Sequence, residues 1–355
     1  MFTSAMASVG AGGDNLLRLP KVRHSVVILV DGLGYENLTE NRAYARFLNS
    51  KLASSLRCEF PSTTATSLTG MATGVRSGEH GIIGYAVYSR ELGVQRNLLT
   101  GWLDRAEARD FKKAADLSSG SALVTSVIGP EQYSETGFTE LTMSGASYVV
   151  AESLAERFDA AIRISNQKSR SVTYLYVPEL DQLAHRFGVE STKWAEALEA
   201  LDSEVARFAS KLTKETGVLL TADHGVIDVA HENHVYLDEF QWFTDSVISS
   251  AGDPRCNFIY LRDGGDVDSI AKLLKEEFGA RAYVCIHQEL VDSGWVASGD
   301  AVITDYVPDV YLIWHKDYVG YDRRTAKPHH LKLIGQHGSI TDHETRIPLV
   351  KFGSF

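Results

Sequence analysis

The chain has 355 residues, of which 44 % are hydrophobic and 23 % are charged, as in soluble globular proteins and unlike disordered ones. Its 46 acidic and 35 basic residues give a net charge of −11, which disfavours binding to a nucleic acid duplex because its phosphates repel an acidic surface. The apolar runs are only as long as strands, so no membrane span is predicted. The N-terminal segment lacks a basic start followed by an apolar run, which makes the cytoplasm the expected location.

The first half of the chain contains strand and helix patterns. Residues 1–14 are rich in Ser, Ala and Gly and are predicted to be a flexible terminus. The β-branched run His24–Val30 predicts a strand that is buried on both faces. A helix is expected over residues 36–52. Further strands are predicted at residues 123–127, 172–177 and 218–221.

A helix is predicted between the last two of these strands, because apolar residues recur every three or four positions from residue 194 to residue 212. Strands that alternate with helices predict an α/β fold with a mostly parallel central sheet covered by helices on both faces.

The pattern changes at residues 231–330, where strand-like and helix-like runs, including a strand-like run at 301–304, predict a small inserted α+β subdomain. The core is then expected to comprise residues 15–230 and 331–355.

Potential metal ligands follow the predicted strands of the core. In open α/β sheets the functional residues lie beyond the carboxyl ends of the strands. These positions, together with a late His-Gly pair, hold six residues: Asp31, Asp181, His185, Asp223, His224 and His337. Carboxylate and imidazole groups suit zinc or manganese. Taken alone, these residues are more readily explained as a turn former, a helix cap or loop residues, so the metal hypothesis depends on their number and position.

A cluster of hydroxyl residues precedes a predicted helix that begins near residue 65. Thr63 or Thr64 is either the N-cap of this helix or a nucleophile whose alkoxide is stabilised by the helix dipole and by nearby metal ions.

Five segments, in this order, resemble the type I phosphodiesterase/nucleotide pyrophosphatase family of the alkaline phosphatase superfamily. They are VDGLGY at 30–35, the Thr-rich segment that leads into TGVRSGEHGI at 73–82, ELDQLAH at 179–185, TADHG at 221–225 and GQHGS at 335–339. The resemblance covers residues 25–225 and about 330–355, and it implies an alkaline phosphatase-like fold.

The resemblance also implies a site with two divalent metal ions. Asp181, His185 and His337 match one metal site. Asp31, Asp223 and His224 match the other, to which the nucleophile adds an oxygen ligand. The expected ions are Zn²⁺, because each site mixes carboxylate with imidazole, or alternatively Mn²⁺. The family spacing selects Thr64, ten residues before Gly74, as the nucleophile, with Thr63 as the alternative.

Two departures from the family pattern affect the substrate. The family has Phe-Pro-Asn after the nucleophile, whereas Phe60 and Pro61 precede it here. Tyr85 stands where the family commonly has an Asn that binds a phosphate oxygen. The phenol of Tyr85 could donate the same hydrogen bond, or it could pack in the core instead.

The implied reaction is hydrolysis of a phosphodiester or phosphoanhydride in a small phosphate ester or nucleotide, through a phosphothreonine intermediate. The alternatives are a phosphomonoesterase or phosphonate hydrolase of the same superfamily, and an inactive binding module that is stabilised by metal.

Overall fold

The computed structural model describes residues 1–111, 114, 123–297 and 306–355. Its strands, in chain order, are β1 (His24–Val30), β2 (Leu52–Arg57), β3 (Ala86–Ser89), β4 (Val94–Asn97), β5 (Val124–Gly129), β6 (Ser147–Val150), β7 (Ser171–Val177), β8 (Thr216–Thr221), β9 (Ile227–Asp228), β10 (His234–Tyr236), β11 (Val247–Asp253), β12 (Cys256–Leu261), β13 (Ala282–Cys285), β14 (Val310–Trp314), β15 (Val319–Tyr321), β16 (Gly335–Gln336) and β17 (Arg346–Gly353).

The helices of the described ranges, in chain order, are α1 (Phe2–Ser8), α2 (Tyr35–Glu40), α3 (Arg46–Ser50), α4 (Thr64–Thr73), α5 (Ser77–His80), α6 (Arg105–Phe111), α7 (Gly137–Met143), α8 (Leu154–Ser165), α9 (Glu179–Phe187), α10 (Thr192–Ser210), α11 (Gln241–Ser246), α12 (Val267–Phe278), α13 (His287–Asp292) and α14 (Asp342–Thr345). None of these helices has both the length and the apolar character needed to cross a membrane. The cytoplasmic location stays a prediction.

The central sheet has seven strands in the order β2-β17-β8-β1-β7-β5-β6. Strands β8, β1, β7, β5 and β6 are parallel, and β17 runs antiparallel to both of its neighbours. All seven residues of β1 are buried. Val27 and Leu29 join the core on one face of the sheet, whereas Val26 and Ile28 join the core on the other. This two-sided burial explains the continuous β-branched run in the sequence.

Helices cover both faces of this sheet. Side chains of α1, α4 and α7 pack in the core on one face, and side chains of α3, α8 and α10 pack in the core on the other. The predicted α/β fold with a mostly parallel, doubly covered sheet is therefore confirmed. The predicted strands within β5, β7 and β8 and the amphipathic helix α10 are confirmed as well.

The predicted single helix over residues 36–52 is wrong. The chain forms two short helices there, α2 and α3, and then begins β2 at Leu52. The carboxylate of Asp202 accepts hydrogen bonds from the backbone N–H groups of Phe47 and Leu48, at 3.0 and 2.7 Å. Asp202 is distant in sequence, yet it satisfies N–H groups in the first turn of α3 that have no partner within the helix. The start of α3 is therefore determined by this tertiary contact.

A second sheet lies within the block predicted to be an inserted subdomain. Strands β11, β12, β14 and β13 form an antiparallel sheet in that order. One of its faces packs on α12. The other face contributes Phe258 and Tyr311 to a core shared with the central sheet. The division of the chain into a core and an inserted subdomain stays a prediction, and the strand-like run at 301–304 lies outside the described residues.

The prediction of a flexible terminus over residues 1–14 is wrong for its first part. Helix α1 lies over the sheet, and Phe2, Ala5 and Met6 are buried in the core there. The Ser- and Ala-rich composition suggested a loose segment, but Phe2 and Met6 give the helix an apolar face.

Phe2→Ala should therefore lower the free energy of unfolding by roughly 3–5 kcal/mol, the cost of truncating a buried aromatic ring. Phe2 is 1 % exposed. Urea denaturation provides the measurement. Leu16→Ala is the matched control, because Leu16 is 82 % exposed. Equal midpoints for the two variants would contradict the docking of α1.

Candidate metal centre and active site

Three adjacent strands bring the predicted ligands to one edge of the central sheet. Asp31 directly follows β1, and Asp223 and His224 lie just beyond β8. Helix α9 begins two residues after β7 and carries Asp181 and His185 on successive turns. Since β1 lies between β7 and β8 in parallel register, these carboxyl ends meet. His337 reaches the same place from the loop after β16.

The six side chains form two groups. Asp181, His185 and His337 offer ligand atoms within 4.8 Å of one another, and so do Asp31, Asp223 and His224. These are the two groups that the family resemblance implies. Their role as metal ligands stays a prediction, but the geometry required for it is present.

Each histidine of the two groups is oriented by a backbone carbonyl. The Nδ1 atoms of His185, His224 and His337 lie 2.8, 3.2 and 2.9 Å from the carbonyl oxygens of Gly335, Gly225 and Ser62. A carbonyl only accepts hydrogen bonds, so Nδ1 carries the hydrogen and Nε2 is the atom available to a metal. The rings of His224 and His337 stack with centroids 3.7 Å apart, which joins the two groups.

The carboxylates are only partly satisfied by the protein. Asp223 Oδ1 accepts hydrogen bonds from the backbone N–H groups of Gly32 and His224, and Asp31 Oδ2 accepts one from the Tyr176 hydroxyl at 2.5 Å. The second oxygens, Asp31 Oδ1 and Asp223 Oδ2, are buried without a hydrogen-bond donor among the described residues, as is Asp181 Oδ1. Buried oxygens of this kind are costly unless a cation pairs with them, so the donor set fits divalent metal ions.

The electrostatics of the two groups differ. Burial, together with the nearby carboxylates of Asp223 and Asp181, raises the pKa of Asp31 well above its ordinary value. Burial also opposes ionisation of Asp181, but His185 nearby holds its pKa below the ordinary range. Burial disfavours the charged form of His185, and the Asp181 carboxylate outweighs this effect and raises the His185 pKa to about 9. A cation is therefore favourable beside Asp31, and in the metal-free protein the protonated imidazole of His185 is the cation beside Asp181.

The hydroxyl of Thr64 lies beside the Asp31, Asp223 and His224 group. Thr64 is the first residue of α4, and Thr63 is its N-cap. Thr64 Oγ1 lies 3.2 Å from His224 Nε2. This contact favours Thr64 over Thr63 as the residue that reaches the proposed metals.

Tyr85 lines a pocket of about 420 Å³ together with residues that include Asn97, Asp253, Tyr321 and His330. It is therefore not enclosed in the core. Asn97 Oδ1 accepts the backbone N–H groups of Leu99 and Thr100, so its amide NH₂ is the group that bonds the Tyr85 phenol. The phenolic hydrogen remains available for another acceptor.

Asp253 is a site residue that was not predicted from the sequence. This residue is 6 % exposed, and its carboxylate accepts a hydrogen bond from the Tyr85 backbone N–H. It also packs against Gly338, where an added Cβ would lie 2.8 Å from the Asp253 Cβ. Asp253 thus links the pocket to the loop that carries His337. It ends a strand of the second sheet and has no sequence motif that could have singled it out.

Asp253→Asn should stabilise the metal-free protein increasingly as the pH rises. Burial raises the pKa of Asp253 to about 8, above its ordinary value in the unfolded chain. The stability linked to its proton is therefore present below the unfolded pKa and is lost as the pH rises through about 8. Asparagine removes this loss and keeps an acceptor for the Tyr85 N–H. The melting temperature of the variant minus that of wild type should be larger near pH ~9 than near pH ~5; an equal difference at both would refute this.

No curated protein sequence matches the chain. Its fold is similar to that of human ectonucleotide pyrophosphatase/phosphodiesterase 5, with a TM-score of 0.68 and 14 % identity over 92 % of this chain and 87 % of that chain. The murine protein gives a TM-score of 0.67 and 14 % identity over 92 % and 87 %. An inactive threonine-to-alanine variant of the murine protein in complex with AMP gives 0.66 and 15 % over 93 % and 88 %.

A family model also matches this chain, over a stretch that includes the five sequence segments described above. The model of type I phosphodiesterase/nucleotide pyrophosphatase matches residues 25–340, which include both groups of candidate ligands, Thr64 and Tyr85. The chain therefore belongs to the type I phosphodiesterase/nucleotide pyrophosphatase family.

Proposed function

We propose that this protein hydrolyses a phosphodiester or phosphoanhydride bond of a small nucleotide-like substrate through a phosphothreonine intermediate at Thr64. The observation that carries the proposal is the 3.2 Å approach of Thr64 Oγ1 to His224 Nε2, beside two groups of Asp and His ligands. Membership of the family supports the same reaction class.

Two divalent ions, Zn²⁺ or alternatively Mn²⁺, fit this site. Asp181, His185 and His337 would hold one ion. Asp31, Asp223 and His224, with Thr64 Oγ1, would hold the other. When bound, the ions would lower the pKa of the Thr64 hydroxyl and neutralise the charge that develops on the phosphoryl oxygens. The mixed carboxylate and imidazole donors favour zinc.

Thr64 is suited to nucleophilic attack by its place in the fold. Its hydroxyl lies at the positive end of the ten-residue helix α4, where negative charge is stabilised. Thr64 Oγ1 gives its proton to solvent and forms a bond to phosphorus, the bond from phosphorus to the leaving-group oxygen breaks, and the leaving group takes a proton from solvent. Water then attacks the phosphothreonine and breaks its Oγ1–phosphorus bond, which restores the hydroxyl.

Tyr85 is the proposed donor to a phosphoryl oxygen. A diester carries one negative charge and needs chiefly a neutral donor, whereas a dianionic monoester benefits from an additional cation. The Tyr85 phenol accepts from Asn97 and keeps its own hydrogen to donate. A preference for diesters or anhydrides over monoesters follows from this neutral donor.

A nucleotide is the proposed substrate class for two reasons. The structure of the inactive variant of the murine relative is a complex with AMP, and the pocket beside Tyr85 has a volume of about 420 Å³. Activity assays of the metal-loaded protein on aryl diesters, dinucleotides, nucleotide sugars, aryl monoesters and phosphonates test the proposal. Turnover of monoesters or phosphonates above that of all diesters and anhydrides would contradict it.

The metal-free protein should bind about two transition-metal ions per chain, as in other two-metal sites. His337→Ala and Asp223→Asn should each reduce the stoichiometry to about one, because each removes a ligand from a different group. Metal analysis after dialysis provides the measurement. His343→Ala is the control, since the His343 side chain is 49 % exposed. A wild-type protein that holds at most one ion would exclude the two-metal site.

Thr64→Ala should retain the fold and the metal ions but lose on the order of a thousandfold or more in kcat, equivalent to at least ~4 kcal/mol of transition-state stabilisation. Thr63→Ala is the matched control, because the Thr63 side chain makes no capping hydrogen bond to α4. Steady-state kinetics on an aryl diester compare the two. If Thr63→Ala is inactive and Thr64→Ala is not, the nucleophile is Thr63.

Tyr85→Phe should lower kcat on an aryl diester by roughly ten- to a thousandfold, the range for removing one oxyanion donor. The matched control is Tyr88→Phe, which alters a core tyrosine that is 8 % exposed and should leave kcat close to wild type. Kinetics on matched aryl diester and monoester substrates provide the measurement. Unchanged turnover in Tyr85→Phe would eliminate the donor role.

A further inference from the structure

A buried ion pair lies behind the loop that carries His337. Arg255, from the turn between β11 and β12, places Nε 3.1 Å from Glu344 Oε1 and Nη2 2.8 Å from Oε2. Both side chains are completely buried. The third guanidinium nitrogen donates to the backbone carbonyl of Tyr318. Such a bidentate contact fixes both the orientation and the position of the carboxylate.

Glu344 in turn forms hydrogen bonds with two loops of the site. Its Oε1 accepts the backbone N–H of Ser339 at 3.0 Å, two residues after His337. Its own backbone carbonyl accepts the N–H of Gly225 at 2.8 Å, one residue after His224. The Arg255–Glu344 pair thus contacts both loops that supply histidines to the two groups of candidate ligands.

The loop that carries His337 is held from its other side by Ser62. The Ser62 hydroxyl donates to the Ser339 carbonyl at 2.7 Å and accepts the Gly338 N–H at 3.1 Å. The Ser62 carbonyl accepts His337 Nδ1 at 2.9 Å. His337 therefore takes its orientation from a loop that lies between Ser62 and Glu344.

The charge of Arg255 is needed for this arrangement. A buried ion pair contributes little net stability, but removing one partner leaves the other as an uncompensated buried charge. Without the guanidinium, the Glu344 carboxylate would have to take up a proton or move toward water. Either change disturbs the acceptor that holds the Ser339 N–H and, through it, the position of His337.

We propose that Arg255 is a positioning residue for His337, through which the block predicted as an inserted subdomain sets the affinity of the metal ion at the Asp181, His185 and His337 group. This inference rests on the proposed two-metal function. It assigns to Arg255 an effect on one ion and not on the other, because Ser339 contacts the Glu344 carboxylate that Arg255 holds, whereas Gly225, beside His224, contacts only the main-chain carbonyl of Glu344.

Zn²⁺ titration of the metal-free protein against a competing chelator tests this proposal. Arg255→Lys keeps the positive charge but cannot form the bidentate contact with Glu344. It should lower the affinity for one of the two ions by at least ~tenfold, as expected when the hydrogen bonds that orient a metal ligand are lost. This ion should be the one that His337→Ala fails to bind. The other ion, missing from Asp223→Asn, should bind as in wild type.

Two further variants separate positioning from general loss of stability. The double variant Arg255→Met, Glu344→Gln removes both charges, so it avoids an unpaired buried carboxylate. It should lower the affinity for the same ion. Leu198→Ala, a fully buried position in α10 on the other face of the sheet, should lower the melting temperature without changing either affinity.

The outcomes are distinct. Unchanged affinities in both Arg255 variants, or an equal loss of both ions, would overturn the positioning role while leaving the proposed function intact. A wild-type protein that holds fewer than two ions, or that cleaves no phosphoester when loaded, would instead overturn the proposed function itself.

Discussion

Concentration of negative charge at one edge of the central sheet is the constraint on which the rest of the site depends. Within the described ranges, Asp31, Asp181 and Asp223 each keep a buried oxygen without a hydrogen-bond donor, and burial together with the neighbouring carboxylates raises the pKa of Asp31. The fold tolerates this arrangement because the three residues stand on the rigid ends of adjacent strands and a helix. Three carboxylates cancel most of the charge of two divalent ions, so a loaded site would become locally positive and would attract phosphate within an acidic protein.

Each histidine of the two groups contacts a main-chain carbonyl through Nδ1. Carbonyl groups of Ser62, Gly225 and Gly335 fix the three imidazoles. A carbonyl cannot change its protonation state, so these three contacts keep the same acceptor at every pH. The contact between His185 Nε2 and the Asp181 carboxylate, at 3.2 Å, does depend on ionisation. The loops that supply these carbonyls are in turn tied together by Ser62 and Glu344.

Much of the fold and most of the candidate ligands could be predicted because their signals are local. The β-branched run of β1 and the period of α10 reflect burial of neighbouring residues, and the Asp and His positions follow from where parallel strands end. The contacts that were missed join distant parts of the chain. Asp202 caps α3, Phe2 is buried by the central sheet, and Arg255 pairs with a residue 89 positions away. No periodicity or motif marks such pairs.

The place of β17 in the sheet has a consequence for synthesis of the chain. β17 comprises residues Arg346–Gly353 and pairs with both β8 and β2. Before β17 is synthesised, β8 and β2 each expose the edge that β17 later covers. Open edges are templates for pairing with other chains, so a chain in which β17 has not yet paired exposes two such templates. Pairing of β17 thus covers the edge of β8 and one edge of β2 at the same time.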